Sequence, residues 1–121
     1  MAKKILIVDD EPNIVVSLEF MMKREGFEVA TAADGDAALA QVAAFAPDLV
    51  LLDVMMPKKS GYEVCELLRA DPACAGLRIV MLTAKGRETE VAKGIALGAD
   101  AYVTKPFSTK DLVAQVKALL A

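Results

Sequence analysis

Four short apolar runs constrain this chain more than any other feature: Ile5-Leu6-Ile7-Val8, Leu49-Val50-Leu51-Leu52, Ile79-Val80-Met81-Leu82 and the weaker Ala101-Tyr102-Val103-Thr104. Runs of this length without alternation suit strands covered on both faces. A fifth segment, Phe27-Glu28-Val29-Ala30-Thr31, is broken by Glu28 and reads as a strand at a sheet edge. Between the strands lie stretches with helical spacing. Pro12 suits a first helical position, with Ile14, Leu18 and Met21 or Met22 following at three to four residues. Asp34 can cap a helix showing Leu39, Val42 and Phe45, and Ser108 with Asp111 resembles a capping box ahead of the stripe Leu112, Val113, Val116, Leu119 and Leu120. Further helices are expected around 61–70, closed by Asp71-Pro72, and around 87–97, where Gly94 costs roughly 1 kcal/mol relative to Ala and makes that helix the softest. Strand and helix thus alternate five times. Such a chain builds an α/β fold, an open parallel sheet with helices on both faces and right-handed crossovers.

At 121 residues the chain is one domain's worth of material, read as a single unit over 1–121. The 14 basic and 17 acidic residues are interleaved and leave a net charge of −3, without the basic stripe that nucleic-acid binding requires. Cys65 and Cys74 stand outside any CxxC pair and no histidine accompanies them, so reduced thiols are expected. The apolar run before Asp9 is too short for a signal peptide or a membrane span, which points to a cytoplasmic protein.

In an open parallel sheet, ligands gather beyond the carboxyl ends of the strands. The residues there are Asp9 and Asp10 after the first strand, Asp53 after the third, Thr83 after the fourth and Lys105 after the fifth. A lone Asp after a strand is ordinarily a turn residue; five chemically matched residues on one rim are a site. If the first and third strands are neighbours, the carboxylates crowd. Two like charges ~4 Å apart repel by roughly 4 kcal/mol at an effective dielectric of 20, so they bind protons or a cation. An all-oxygen set favours a hard cation, Mg²⁺ over Zn²⁺, and Mg²⁺ commonly shares a phosphate oxygen. Lys105 and Thr83 suit that phosphate as a cation and a hydroxyl donor. The Lys105-Pro106 bond is a candidate cis peptide that would aim the amine inward.

These residues resemble the receiver domain of two-component response regulators, the phosphoaspartate switches. The matching pieces are Ile7-Val8-Asp9-Asp10-Glu11, Leu51-Leu52-Asp53-Val54-Met55-Met56-Pro57 with Gly61, Met81-Leu82-Thr83-Ala84, and Gly98 through Phe107. The resemblance implies a three-layer, flavodoxin-like, doubly wound sheet of five parallel strands in the order 2-1-3-4-5. It implies that Asp53 accepts a phosphoryl group from a histidine kinase or phosphotransfer protein. Mg²⁺, or Mn²⁺ in its place, would be held by Asp10, Asp53 and the Met55 carbonyl, with Asp9 acting through water. Lys105, the Thr83 hydroxyl and the Ala84 amide would meet phosphoryl oxygens. Thr83 and Tyr102 would form the switch, and the output face would be the helix near 87–97, the fifth strand and the last helix.

The resemblance implies a regulator and not a turnover enzyme, passing its signal to a downstream effector or a fused output domain. It would act as a monomer or as a weak, phosphorylation-dependent dimer through that output face. Ala101, where many DNA-binding relatives carry a second acid, removes a charge from the dimer surface. Small Ala84 leaves room for a donor to approach, and Lys58 and Lys59 are expected to be solvated. Three rivals are weaker. A haloacid-dehalogenase-type phosphatase wants an acid where Met55 stands. A flavodoxin-shaped binding module would not place Asp9-Asp10-Glu11 against a phosphate. A degenerate receiver acting only as a protein-interaction module would not need all five rim residues.

Overall fold

A computed structural model describes residues 2–56, 58–84, 98–105 and 107–120. The strands are β1 (Lys4–Val8), β2 (Glu28–Ala32), β3 (Leu49–Asp53), β4 (Arg78–Ala84) and β5 (Ala101–Lys105). They form one parallel sheet in the order β2-β1-β3-β4-β5, as expected. Among the described residues the helices are α1 (Pro12–Arg24), α2 (Gly35–Phe45), α3 (Gly61–Ala70) and a C-terminal helix (Thr109–Leu120). The helix expected near 87–97 lies outside the described residues, as do Pro57, Lys85 and Pro106.

Alternate residues of a strand face opposite sides, and the central strands are apolar throughout because both sides are covered. Leu6, Val8, Val50, Leu52, Ile79 and Met81 pack with Ala38 of α2 and with Val64, Cys65 and Leu68 of α3. On the other face, Ile5, Ile7, Leu49, Leu51, Val80 and Leu82 pack with Leu18, Met21 and Met22 of α1 and with Leu112 and Val116 of the C-terminal helix. Each fully buried Leu or Ile contributes about 1.5–3 kcal/mol, so the three layers hold the rim in place. β2 lies at an edge, with Glu28 exposed.

The ends of the helices follow from local chemistry. Pro12 is the first residue of α1, and Lys23 and Arg24 occupy its last turn, where cations complement the helix dipole. Asp34 accepts the Ala37 N–H at 2.8 Å, as expected of a cap. Ser108 accepts the Asp111 N–H at 3.3 Å. Four features differ from the sequence reading. β2 is shifted one residue onward, and in α2 the fully buried side chain is Ala38, while Leu39 and Val42 are only half-buried. α3 carries a capping box between Ser60 and Glu63 that the sequence reading passed over, and after Asp71 the chain makes a short 3₁₀ turn at Pro72–Cys74.

Candidate functional site

The rim at the carboxyl end of the sheet gathers the residues singled out by sequence. Asp53, Thr83 and Lys105 lie within their strands, near or at the ends, because the ladder runs further than the apolar runs: Asp53 pairs with Leu82, and Ala84 pairs with Lys105. Asp9 follows β1 directly, and its N–H donates to the Ala32 carbonyl at 3.2 Å. Since β1 and β3 are neighbours, Asp9 and Asp53 meet.

Asp9, Asp10 and Asp53 each offer a carboxylate oxygen within 4.8 Å of the others. Asp9 and Asp53 are buried and Asp10 is exposed. Lys105 reaches over β4 from the sheet edge, and its Nζ donates to Asp9 Oδ2 at 2.9 Å and to Asp53 Oδ1 at 3.3 Å. Asp9 Oδ1 also accepts the Glu11 N–H at 2.9 Å. Asp9 therefore takes the larger share of the compensation. Burial, then the Asp9 charge, pushes the Asp53 carboxyl up to about 6 against the pull of Lys105. Burial draws the Lys105 ammonium down, but the bonds and charges of Asp9 and Asp53 outweigh it and the net shift is upward.

Thr83 Oγ1 is buried and makes no hydrogen bond among the described residues. A buried hydroxyl without a partner costs about 1–3 kcal/mol, so it marks a place where a ligand oxygen is wanted. Met55 follows in the bend after β3 with an exposed side chain. Tyr102 is half-buried in β5, and its hydroxyl lies 2.9 Å from that of Tyr62. The donor set on the rim is oxygen only, carried by three close carboxylates, and this fits a hard divalent cation.

Residues 5–117 match the response regulator receiver domain family. The chain belongs to that family. This receiver domain is 49% identical over 120 residues to the alkaline phosphatase synthesis transcriptional regulatory protein PhoP of Bacillus subtilis, covering 99% of this chain and 49% of that protein. It is 48% identical to the DNA-binding response regulator MtrA of Mycolicibacterium smegmatis, covering 99% of this chain and 51% of that protein. Among solved structures it is similar to the chemotaxis protein CheY4 of Vibrio cholerae, with a TM-score of 0.92 and 31% identity over 98% of this chain and 99% of that one. The chain spans about half the length of the curated relatives it matches.

Several residues of the receiver domain escaped the sequence reading. Lys59 is not simply solvated, since its Nζ pairs with Asp36 Oδ1 at 2.8 Å and ties the loop after β3 to the start of α2. That contact lowers the Asp36 carboxyl and raises the Lys59 ammonium, the hydrogen bond being the main cause of both. Gly61, named above only as a motif residue, has a steric role, because its N–H donates to Val54 O at 2.9 Å and a Cβ there would run into the Asp53 carbonyl oxygen. Only glycine lets α3 begin so close to the backbone of Asp53. Cys65 and Cys74 are buried thiols outside any disulfide, as expected, and burial pushes both upward. No helix among the described residues is long and apolar enough to cross a membrane.

Proposed function

We propose that the chain is a phosphoaspartate signalling switch in which Asp53 is the phosphoacceptor. The observation that carries this reading is the sharing of Lys105 between two buried carboxylates, one of which, Asp53, is left under-compensated beside the buried, unbonded Thr83 hydroxyl. With its carboxyl pushed up to about 6, Asp53 is ionised at pH 7 yet poorly satisfied, as suits a nucleophile.

An oxygen of Asp53 attacks the phosphorus of a phosphohistidine on a histidine kinase or phosphotransfer protein. The P–O bond of an acyl phosphate forms as the P–N bond breaks, and the imidazole leaves with the electron pair. Asp10, Asp53 and the Met55 carbonyl would hold Mg²⁺, or Mn²⁺ in its place, with Asp9 bound through water. When bound, the ion neutralises charge on the transferring phosphoryl oxygens. Lys105 shifts its ammonium from Asp53 to a phosphoryl oxygen while keeping Asp9. The Thr83 hydroxyl gains an acceptor, and the Ala84 amide donates to a third oxygen. The new bond favours only the conformation that can form it. Thr83 and Tyr102 then pass the change to an output face made of the region near 87–97, β5 and the C-terminal helix.

This reading makes the chain a regulator and not a turnover enzyme, cytoplasmic in keeping with its two thiols outside any disulfide. Its output lies in an effector protein or a fused domain, with no direct nucleic-acid or membrane binding by residues 1–121, which act as a single domain. It is a monomer or a weak dimer formed on phosphorylation through the output face. The test is incubation with acetyl phosphate and Mg²⁺ under intact-mass detection. One phosphoryl group is expected on the parent chain and none on Asp53→Asn. An unmodified parent chain would leave only a protein-interaction module.

A further inference from the structure

The chain has two tyrosines, and the fold brings their hydroxyls to 2.9 Å although 40 residues separate them. Tyr62 is the second residue of α3 and is buried. Tyr102 lies in β5 opposite Met81, while Thr83 is opposite Thr104, so Tyr102 stands diagonal to Thr83 on the same face of the sheet. Diagonal neighbours on adjacent strands are within reach of an aromatic side chain. Tyr102 packs against the cluster that contains Tyr62, Val64 and Met81. The first turn of α3 is itself seated on the backbone of Asp53 and Val54 through Gly61.

We infer that the Tyr62 hydroxyl is a positioning group for the switch: it holds the Tyr102 ring against the α3 face of the sheet and so sets the resting bias between ring positions. This inference rests on the proposed switch role of Tyr102, but the hydroxyl pair is present whatever Asp53 does. A phenylalanine at position 102 could occupy the same space without a tether. With tyrosine at both positions, release of the ring costs a hydrogen bond. Because Tyr62 rides on the helix that abuts Asp53, the tether joins the rim to β5 through α3, apart from the route through Thr83 on β4.

The test compares the parent chain with Tyr62→Phe, which keeps the ring, its volume and its packing. Both are treated with tetranitromethane, and nitration at position 102 is followed by peptide mass spectrometry, with the denaturation midpoint recorded for each. Loss of the tether is expected to raise Tyr102 nitration roughly threefold or more, the factor a typical net hydrogen bond supplies, while the midpoint moves little. Tyr62→Ser, which restores a hydroxyl without the ring, should not rescue protection; Tyr62 restored by reversion should. An unchanged nitration rate in a folded Tyr62→Phe chain overturns the inference. The assay needs neither metal nor phosphodonor, so it fails or succeeds separately from the phosphorylation of Asp53.

Discussion

The two ends of the sheet each carry a cluster of charge, and the two clusters are satisfied to very different degrees. At the amino end of β4 and β5, Arg69 Nε donates to Gly98 O at 2.8 Å, and Nη1 donates to Leu77 O at 2.7 Å and Cys74 O at 3.3 Å. Arg69 Nη2 donates to Asp100 Oδ2 at 2.6 Å, and the same carboxylate oxygen accepts the Ile79 N–H at 2.8 Å. One guanidinium thus fastens α3, the 3₁₀ turn, β4 and the entry to β5, and each charge has its opposite. At the carboxyl end, three carboxylates crowd together, one lysine is shared between two of them, Asp9 and Asp53, and a buried threonine hydroxyl has no bond among the described residues. A fully satisfied network secures a fold, whereas a partly satisfied one holds sites open for a ligand at a cost in stability.

Substitutions at the two ends should therefore move stability in opposite directions. Arg69→Ala strands Asp100 and several carbonyls, and we expect a loss of about 3 kcal/mol in chemical denaturation. A loss below about 1 kcal/mol would show the amino end to be less cohesive than its geometry implies.

At the other end, in metal-free buffer, Asp53→Asn should gain about 2–3 kcal/mol at pH 7.5. The sign follows from proton linkage. The Asp53 carboxyl holds its proton more tightly folded, up to about 6, than its ordinary value of 3.8. The folded state therefore binds more protons than the unfolded state between those values, and parent stability falls as pH rises from about 4 to 6. The Asn variant should lack that fall, and its advantage should vanish below about pH 4. Parallel pH profiles for the two chains would contradict the crowding at Asp53.

A smaller effect is expected from the cation. Mg²⁺ at ten times its dissociation constant should stabilise the parent by about 1.4 kcal/mol, and Asp10→Asn should bring that increment close to zero in thermal melts. Arg69→Ala should retain it, because the two ends share no partner. Smallest of all, Lys59→Ala removes an exposed pair with Asp36 and should leave the denaturation midpoint unchanged at physiological salt.

The unsatisfied end was far more legible in the sequence than the satisfied one. Asp9, Asp53, Thr83 and Lys105 each stand beside an apolar run, so finding the strands also found the rim. The strand order needed the family resemblance, since apolar runs do not reveal which strands are neighbours. Arg69 and Asp100 are 31 residues apart, and an arginine near a helix end carries no mark that distinguishes a hub from a solvated charge. The same holds for Lys59 with Asp36 and for Tyr62 with Tyr102, partners joined by topology and not by spacing. Element ends slipped by one or two residues because parallel pairing continues through polar residues such as Asp53 and Lys105 when a neighbouring strand supplies the bonds.

The most direct measurement is to locate the modified residue. The chain is phosphorylated with acetyl phosphate and Mg²⁺, reduced with borohydride so that an acyl phosphate becomes an alcohol, and digested for peptide sequencing by mass spectrometry. Homoserine at position 53 alone is the predicted result. Homoserine at position 9 or 10, or at no position in a chain that has gained phosphoryl mass, would contradict the assignment of Asp53.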